Sequence, residues 1–211
     1  RRAADGRTEG NLGLIQALLS RLFPARCLAC GRSGSSFCRA CLHTLEPAWE
    51  VRDGFEVGSL GVYRGPLRRA ILRIKERNDL ELTRVLGARL GDLLRQRGLV
   101  FQVVGVPTSA RRQRWRGYWS PQRLAAALGF PMLRAFQCLG DPAPRKALRG
   151  FAARRAQQSH FAYRGRIQGT VVLVDDVITS GQTLKHAREA LLRAGASQVI
   201  CLCLARVGVA S

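Results

Sequence analysis

Acidic residues are scarce in this chain. Fourteen Asp and Glu stand against 35 Lys and Arg in 211 residues, for a formal net charge of +21. A field of that sign draws polyanions from a distance; a plainly solvated basic surface is the alternative. Long apolar runs are absent too. None reaches the roughly 18 residues of a membrane span, so no membrane insertion is expected. The opening residues carry no secretory signal pattern, and the expected location is the cytoplasm. There is no internal repeat and no low-complexity segment. Neither G-x-x-x-x-G-K-[ST] nor G-x-G-x-x-G occurs ahead of the candidate ligand loop, which removes the Walker and dinucleotide-binding loops.

What is present is the material of a globular protein. Hydrophobic residues make up 46% of the chain, enough for a buried core in one medium domain plus an appendage. The basic charge is concentrated: 13 Arg and Lys but a single acid, Asp141, lie between Thr108 and Arg166. Within that stretch Trp115, Tyr118 and Trp119 interleave with Arg111, Arg112, Arg114 and Arg116. Aromatics among arginines suit stacking on single-stranded bases with neutralisation of the phosphates. The competing reading places one or two of the rings in the core.

Four of the seven cysteines fall in CLACGRSGSSFCRAC, as Cys27, Cys30, Cys38 and Cys41. Two C-x2-C pairs can turn four thiolates toward one point, the closed tetrahedral arrangement of structural zinc. Two disulfides are the alternative, disfavoured in a cytoplasmic chain. Four sulfur ligands leave no open position, so a zinc ion here is expected to be scaffolding. His43 is a spare ligand candidate close by. Cys138, Cys201 and Cys203 sit in apolar runs and read as core thiols.

Along the chain, residues 1–24 read as a tail and a helix from Asn11 to Leu22, and residues 25–50 as the zinc-binding module. FEVGSLGVYRG reads as a hairpin or paired strands. PLRRAILRIK and LTRVLGARLGDLL carry helical periodicity. From there LVFQVVGVP (strand), PQRLAAAL (helix), MLRAFQC (strand), VVLVDD (strand), GQTLKHAREALLRAG (helix) and QVICLCLA (strand) succeed one another. Strands interspersed with helices in this way predict an α/β fold with a mostly parallel sheet and helices on both faces.

The most informative stretch is VVLVDDVITSGQT, residues 171–183. Ligands bind at the carboxyl ends of parallel strands. Asp175 and Asp176 stand at the exit of a strand through Val171–Val174. Thr179, Ser180, Gly181 and Thr183 make the turn into the next helix. Backbone N–H groups at that helix start, with three hydroxyls, form an anion cradle. The carboxylates suit a sugar diol. A phosphate next to a ribose is the ligand such a site expects.

These 13 residues resemble the phosphoribosyl pyrophosphate loop of type I phosphoribosyltransferases. The resemblance implies that Asp175 and Asp176 hold the ribose hydroxyls and that residues Thr179 to Thr183 wrap the 5′-phosphate. Magnesium would bridge pyrophosphate and ribose with few direct protein ligands. The cysteine knuckle, VYRGPLRRAILRIKERND, GVPTSARRQRWRGY and the Asp-Asp loop, taken together, resemble the ComF competence-protein family from about Cys27 to Arg206. That family joins an amino-terminal zinc module to a phosphoribosyltransferase-like domain, here residues 51–211. Lys75 matches its lysine segment, with Asp79 near the segment's acid, and Arg116-Gly117 match the start of its RGF element. In transferases of this fold the loop after the first core strand contacts pyrophosphate, and Pro107–Arg112 occupies that place. Lys75, Arg111, Arg112, Arg114, Trp115, Arg116 and Trp119 are the candidates for pyrophosphate or nucleic acid.

The chain departs from the family pattern at Trp119-Ser120, at Pro144-Arg145, and at Ala156 or Gln157 ahead of Phe161. These positions fall on the expected acceptor side, and the departures weigh against a conventional transferase reaction. The resemblance therefore implies a factor for DNA uptake in natural transformation. It would bind phosphoribosyl pyrophosphate or a related ribose phosphate and single-stranded DNA, beside a DNA-uptake helicase. The alternative is a magnesium-dependent phosphoribosyltransferase acting on a nucleobase or other nitrogen acceptor. The sequence names no general base.

Overall fold

A computed structural model describes residues 24–98, 100–108, 118, 120–139 and 161–208. The chain divides into two compact units, Arg1–Thr44 and Leu45–Ser211. The helix expected over Asn11–Leu22 lies outside the described residues.

The first unit is a knuckle. An isolated antiparallel bridge pairs Arg26 with Ser33. The turn between them is closed by Gly31 N–H to Cys27 O at 2.9 Å and Cys27 N–H to Arg32 O at 2.9 Å. A short helix, α1 (Arg39–His43), follows directly on Cys38. Phe37, 2% exposed, is the apolar anchor of this small unit.

The second unit is built on a five-stranded sheet in the order β1-β2-β7-β6-β3. Its strands are β1 (Ala48–Arg52), β2 (Phe55–Ser59), β3 (Phe101–Gly105), β6 (Thr170–Ile178) and β7 (Gln198–Arg206). Only β1–β2 is antiparallel; β2–β7, β7–β6 and β6–β3 run parallel. The mostly parallel α/β sheet expected from the alternation of elements is borne out. The hairpin differs in detail. It pairs Ala48–Arg52 with Phe55–Ser59, one strand earlier than the FEVGSLGVYRG reading, so β1 crosses the expected boundary between residues 50 and 51. The reason is local: Asp53 (φ 48°) and Gly54 (φ 79°) both adopt the left-handed conformation that a tight two-residue hairpin turn demands.

MLRAFQC does not supply a strand to the main sheet. Met132 makes one bridge to Val103, and β4 (Phe136–Cys138) pairs antiparallel with β5 (Phe161–Tyr163) in a separate two-stranded sheet. The Phe136 and Phe161 rings, centroids 5.9 Å apart, hold that pair together.

Among the described residues four helices cover the sheet: α2 (Gly65–Arg77), α3 (Leu80–Arg95), α4 (Ser120–Ala127) and α5 (Gln182–Arg193). Val171, Leu173, Cys201 and Cys203 belong to one core cluster with Leu184, Ala187 and Leu191 of α5. Alternate strand residues point to opposite faces. Val104 of β3 lies in that cluster, so its neighbour Gly105 faces the other way. There α4 packs so closely that a Cβ on Gly105 would stand 2.4 Å from Gln122 N and from Pro121 C. Helices therefore lie on both faces, and Val171–Val174, all fully buried, form a continuous apolar run as a central parallel strand should.

α2 buries Leu67, Ala70, Ile71 and Ile74 and ends at Asn78, which is left-handed at φ 52°. Asp79 then caps α3, its Oδ1 accepting from Leu82 N–H at 2.9 Å while Oδ2 pairs with Arg73 Nε at 2.7 Å. The acid that follows the lysine segment is thus a helix cap.

Candidate ligand cleft and cysteine cluster

In the first unit the thiol sulfurs of Cys27, Cys30, Cys38 and Cys41 all lie within 4.8 Å of one another. His43 is not part of the group. Cys30 Sγ and Cys38 Sγ are 3.7 Å apart, far beyond a disulfide bond. That separation matches the edge of a sulfur tetrahedron, about 3.8 Å for Zn–S bonds of ~2.3 Å. Burial pushes the Cys27 thiol up, but the backbone N–H groups of Cys38, Cys30 and Ala29 outweigh it and bring the pKa down to about 6. The neighbouring Cys30 and Cys38 thiols, followed by burial, push Cys41 up to about 12. Cys27 is thus biased toward the thiolate and Cys41 toward the thiol, so a cation held by all four sulfurs displaces protons as it binds. The donor set fits zinc.

In the second unit a cleft of about 230 Å³ is lined by Lys75, Val106, Pro107, Thr108, Tyr118, Ser120, Pro121, Asp175, Asp176 and Thr183. β6 runs through both aspartates expected at its exit and continues to Ile178 along β7. What stops is its other neighbour: the β3–β6 ladder closes with Gly105 opposite Val174. Successive strand residues face opposite sides of a sheet. Asp175 and Asp176 nonetheless line one cleft, because the sheet ends beside them where β3 turns away through Val106–Thr108.

The two acids have different surroundings. Asp176 pairs with Lys75 Nζ at 2.7 Å. Asp175 Oδ1 accepts from the Asp176 N–H at 2.8 Å. Lys75 is carried at the carboxyl end of α2, and Tyr118 holds that end in place, its hydroxyl donating to Ile74 O at 2.7 Å and also to Lys75 O. Tyr118, read from sequence as a stacking ring among arginines, is therefore a clamp on α2, and Arg123 lies 5.4 Å from its ring centroid. Ser120, the first residue of α4 and one of the departures from the family pattern, lines the cleft.

Removal from bulk water, then the charge of Asp176, raises the pKa of Asp175 from 3.8 to about 7; the Asp176 N–H and Lys75 pull it the other way. A carboxyl whose pKa is raised on folding keeps a proton that the unfolded chain has released, so stability falls as pH climbs from about 4 to about 7 and levels off above. Asp175→Asn is neutral throughout. It is expected to raise the unfolding temperature relative to wild type at about pH 8, the gain shrinking toward pH 4. Thermal unfolding of both proteins across that range checks the sign; curves that run parallel would refute it.

Thr179 and Ser180 are exposed in the turn, and Gly181, at φ 75°, leads into α5. These three residues adjoin the cleft without lining it, whereas Thr183, in the first turn of α5, does line it. The structure thus brings Lys75, Asp175, Asp176 and Thr183 together. Arg111, Arg112, Arg114, Trp115, Arg116 and Trp119 lie outside the described residues, as do Pro144, Arg145, Ala156 and Gln157. Among the described residues no helix is long and apolar enough to cross a membrane.

Residues 156–210 match the family model of the phosphoribosyl transferase domain. Over 203 residues the chain is 30% identical to Competence protein F of Haemophilus influenzae, an alignment that covers 84% of this chain and 84% of that protein. At that identity over that share of both proteins, the likeness first carried by the cysteine spacing and the Asp-Asp loop becomes membership: the chain belongs to the ComF competence-protein family, with its phosphoribosyltransferase-type domain.

Proposed function

We propose that this chain is a competence factor for DNA uptake, acting in the cytoplasm beside a helicase. Its cleft binds phosphoribosyl pyrophosphate or a related ribose phosphate, and its basic segment binds single-stranded DNA. The knuckle around Cys27, Cys30, Cys38 and Cys41 holds a structural zinc ion. The observation that carries the reading is the convergence of Asp175, Asp176, Thr183 and Lys75 on one cleft at the carboxyl end of a parallel sheet. The paired carboxylates are acceptors for a sugar diol. The first N–H groups of α5 have no acceptor within the helix, and the reading assigns them to the phosphate. Magnesium would come with the pyrophosphate, since a hard cation takes carboxylate and phosphate oxygens and keeps most of its waters. Calorimetry with phosphoribosyl pyrophosphate and magnesium tests this; absence of binding at millimolar ligand would defeat it.

A specific observation favours a second reading, magnesium-dependent transfer of phosphoribose to a nitrogen acceptor. The Asp175 carboxyl, with a pKa of about 7 in the cleft, can take up or release a proton at neutral pH. Pyrophosphate release with a panel of nucleobases separates the two readings.

The DNA part rests on the arginines and aromatics of 111–119 and makes a quantitative demand. Log affinity for a single-stranded oligonucleotide is expected to fall linearly with log salt, by about 0.7 per neutralised phosphate. Replacing Arg112 and Arg114 together with Ala is expected to make that slope shallower by roughly 1.4. Replacing Trp115 is expected to cost ~1–3 kcal/mol and leave the slope nearly unchanged. Fluorescence anisotropy reads both quantities. An unaltered slope and affinity in the double-arginine variant would place the strand elsewhere.

A further inference from the structure

Arg52, on β1, donates a hydrogen bond from each of its three guanidinium nitrogens. Nε donates to Glu50 Oε1 at 2.6 Å, Nη1 to Thr179 O at 2.9 Å, and Nη2 to Val207 O at 3.0 Å. Its side chain is only 16% exposed. Glu50 also faces Arg206, whose Nε is 3.6 Å from Glu50 Oε2. Val207 N–H in turn donates to Ile178 O at 2.9 Å. The hairpin, the turn after β6 and the end of β7 are thereby tied at one point, although Arg52 and Thr179 are 127 positions apart.

None of the described peptide bonds is cis. In a trans peptide the C=O of one residue and the N–H of the next point in opposite directions. By holding Thr179 O on the hairpin side, Arg52 turns the Ser180 N–H away from the hairpin. A guanidinium bonded to the carbonyl also polarises the whole peptide and strengthens that N–H as a donor. We propose that Arg52 is a positioning residue of the turn, fixing the Ser180 N–H as a donor to the phosphate of a bound ribose phosphate; this rests on the ribose-phosphate reading above. Nothing in the 171–183 motif signals Arg52, and it lies outside the 156–210 match to the phosphoribosyl transferase domain.

Arg52→Met removes the three donors and roughly keeps the length of the side chain. Arg52→Lys keeps the charge but cannot fork to two carbonyls. Ribose 5-phosphate affinity, measured by calorimetry on the full chain, is expected to fall at least about tenfold in Arg52→Met and by less in Arg52→Lys. Amide hydrogen exchange is expected to quicken at residues 179–181 while β6 and β7 keep wild-type protection. Unchanged affinity, or exchange raised equally across β6 and β7, overturns the positioning role. If Arg52→Met does not fold, Arg52→Lys is read by the same two criteria. Wild-type protein that binds neither ribose 5-phosphate nor phosphoribosyl pyrophosphate with magnesium overturns the ribose-phosphate reading and this proposal together, whereas binding that both variants retain overturns this proposal alone.

Discussion

Purified protein is expected to carry close to one equivalent of zinc, and stripping it is expected to unfold the knuckle around Cys27, Cys30, Cys38 and Cys41. The effect should be the largest of any perturbation to this unit. Among the described residues of the knuckle only Phe37 and Cys27 are buried hydrophobics. In small thiolate sites the metal contributes about 10–16 kcal/mol of apparent binding free energy, which is also folding free energy. Cys30→Ser removes one ligand from the edge where the sulfurs stand 3.7 Å apart. It should lower zinc occupancy and raise hydrogen exchange over residues 25–44. Elemental analysis with thiol titration decides the matter. A metal-free protein in which all four thiols titrate while the knuckle keeps its exchange protection would refute a structural zinc site.

In the second unit the largest loss is expected from Asp175→Asn combined with Asp176→Asn. Each carboxylate lost as acceptor for a ribose hydroxyl removes a charge-assisted hydrogen bond of about 1.5–3 kcal/mol, so phosphoribosyl pyrophosphate affinity should drop about a hundredfold or more. Folding should suffer less. Neutralising Asp175 relieves a carboxyl that burial already holds near pKa 7, while neutralising Asp176 leaves Lys75 Nζ without its ion-pair partner at 2.7 Å. The two effects on stability oppose each other; the two effects on binding add. Calorimetry and thermal unfolding on the same samples separate them. Equal affinity in wild type and variant would rule out the diol role, and a loss of affinity matched by loss of the folded state would assign the acids to structure.

The sequence determined what depends on neighbours along the chain. C-x2-C pairs bring thiols together through local turns, so the cysteine cluster was legible from spacing alone. The apolar run Val171–Val174 marked a buried parallel strand, and the Thr-Ser-Gly-x-Thr turn marked the entry to α5, because both patterns are local. The Asp-Gly pair at 53–54 was an equally local hairpin signal, and it fixes a strand that the reading of FEVGSLGVYRG left out. Only the tertiary structure decided what depends on contacts across many residues. It places Lys75 against Asp176, a pairing made possible because Tyr118 fastens the end of α2 beside the sheet. It opens the cleft by ending the β3–β6 ladder at Gly105 rather than by ending β6. It gives the two adjacent acids different surroundings, drawing Asp175 away from bulk water and pairing Asp176 with Lys75, although in sequence they are identical. And it bonds Arg52 to a carbonyl 127 positions away. Hydrogen bonds to backbone carbonyls leave no trace in residue type at the acceptor, since every residue carries the same C=O; a sequence can show the donor but not where its bond will land.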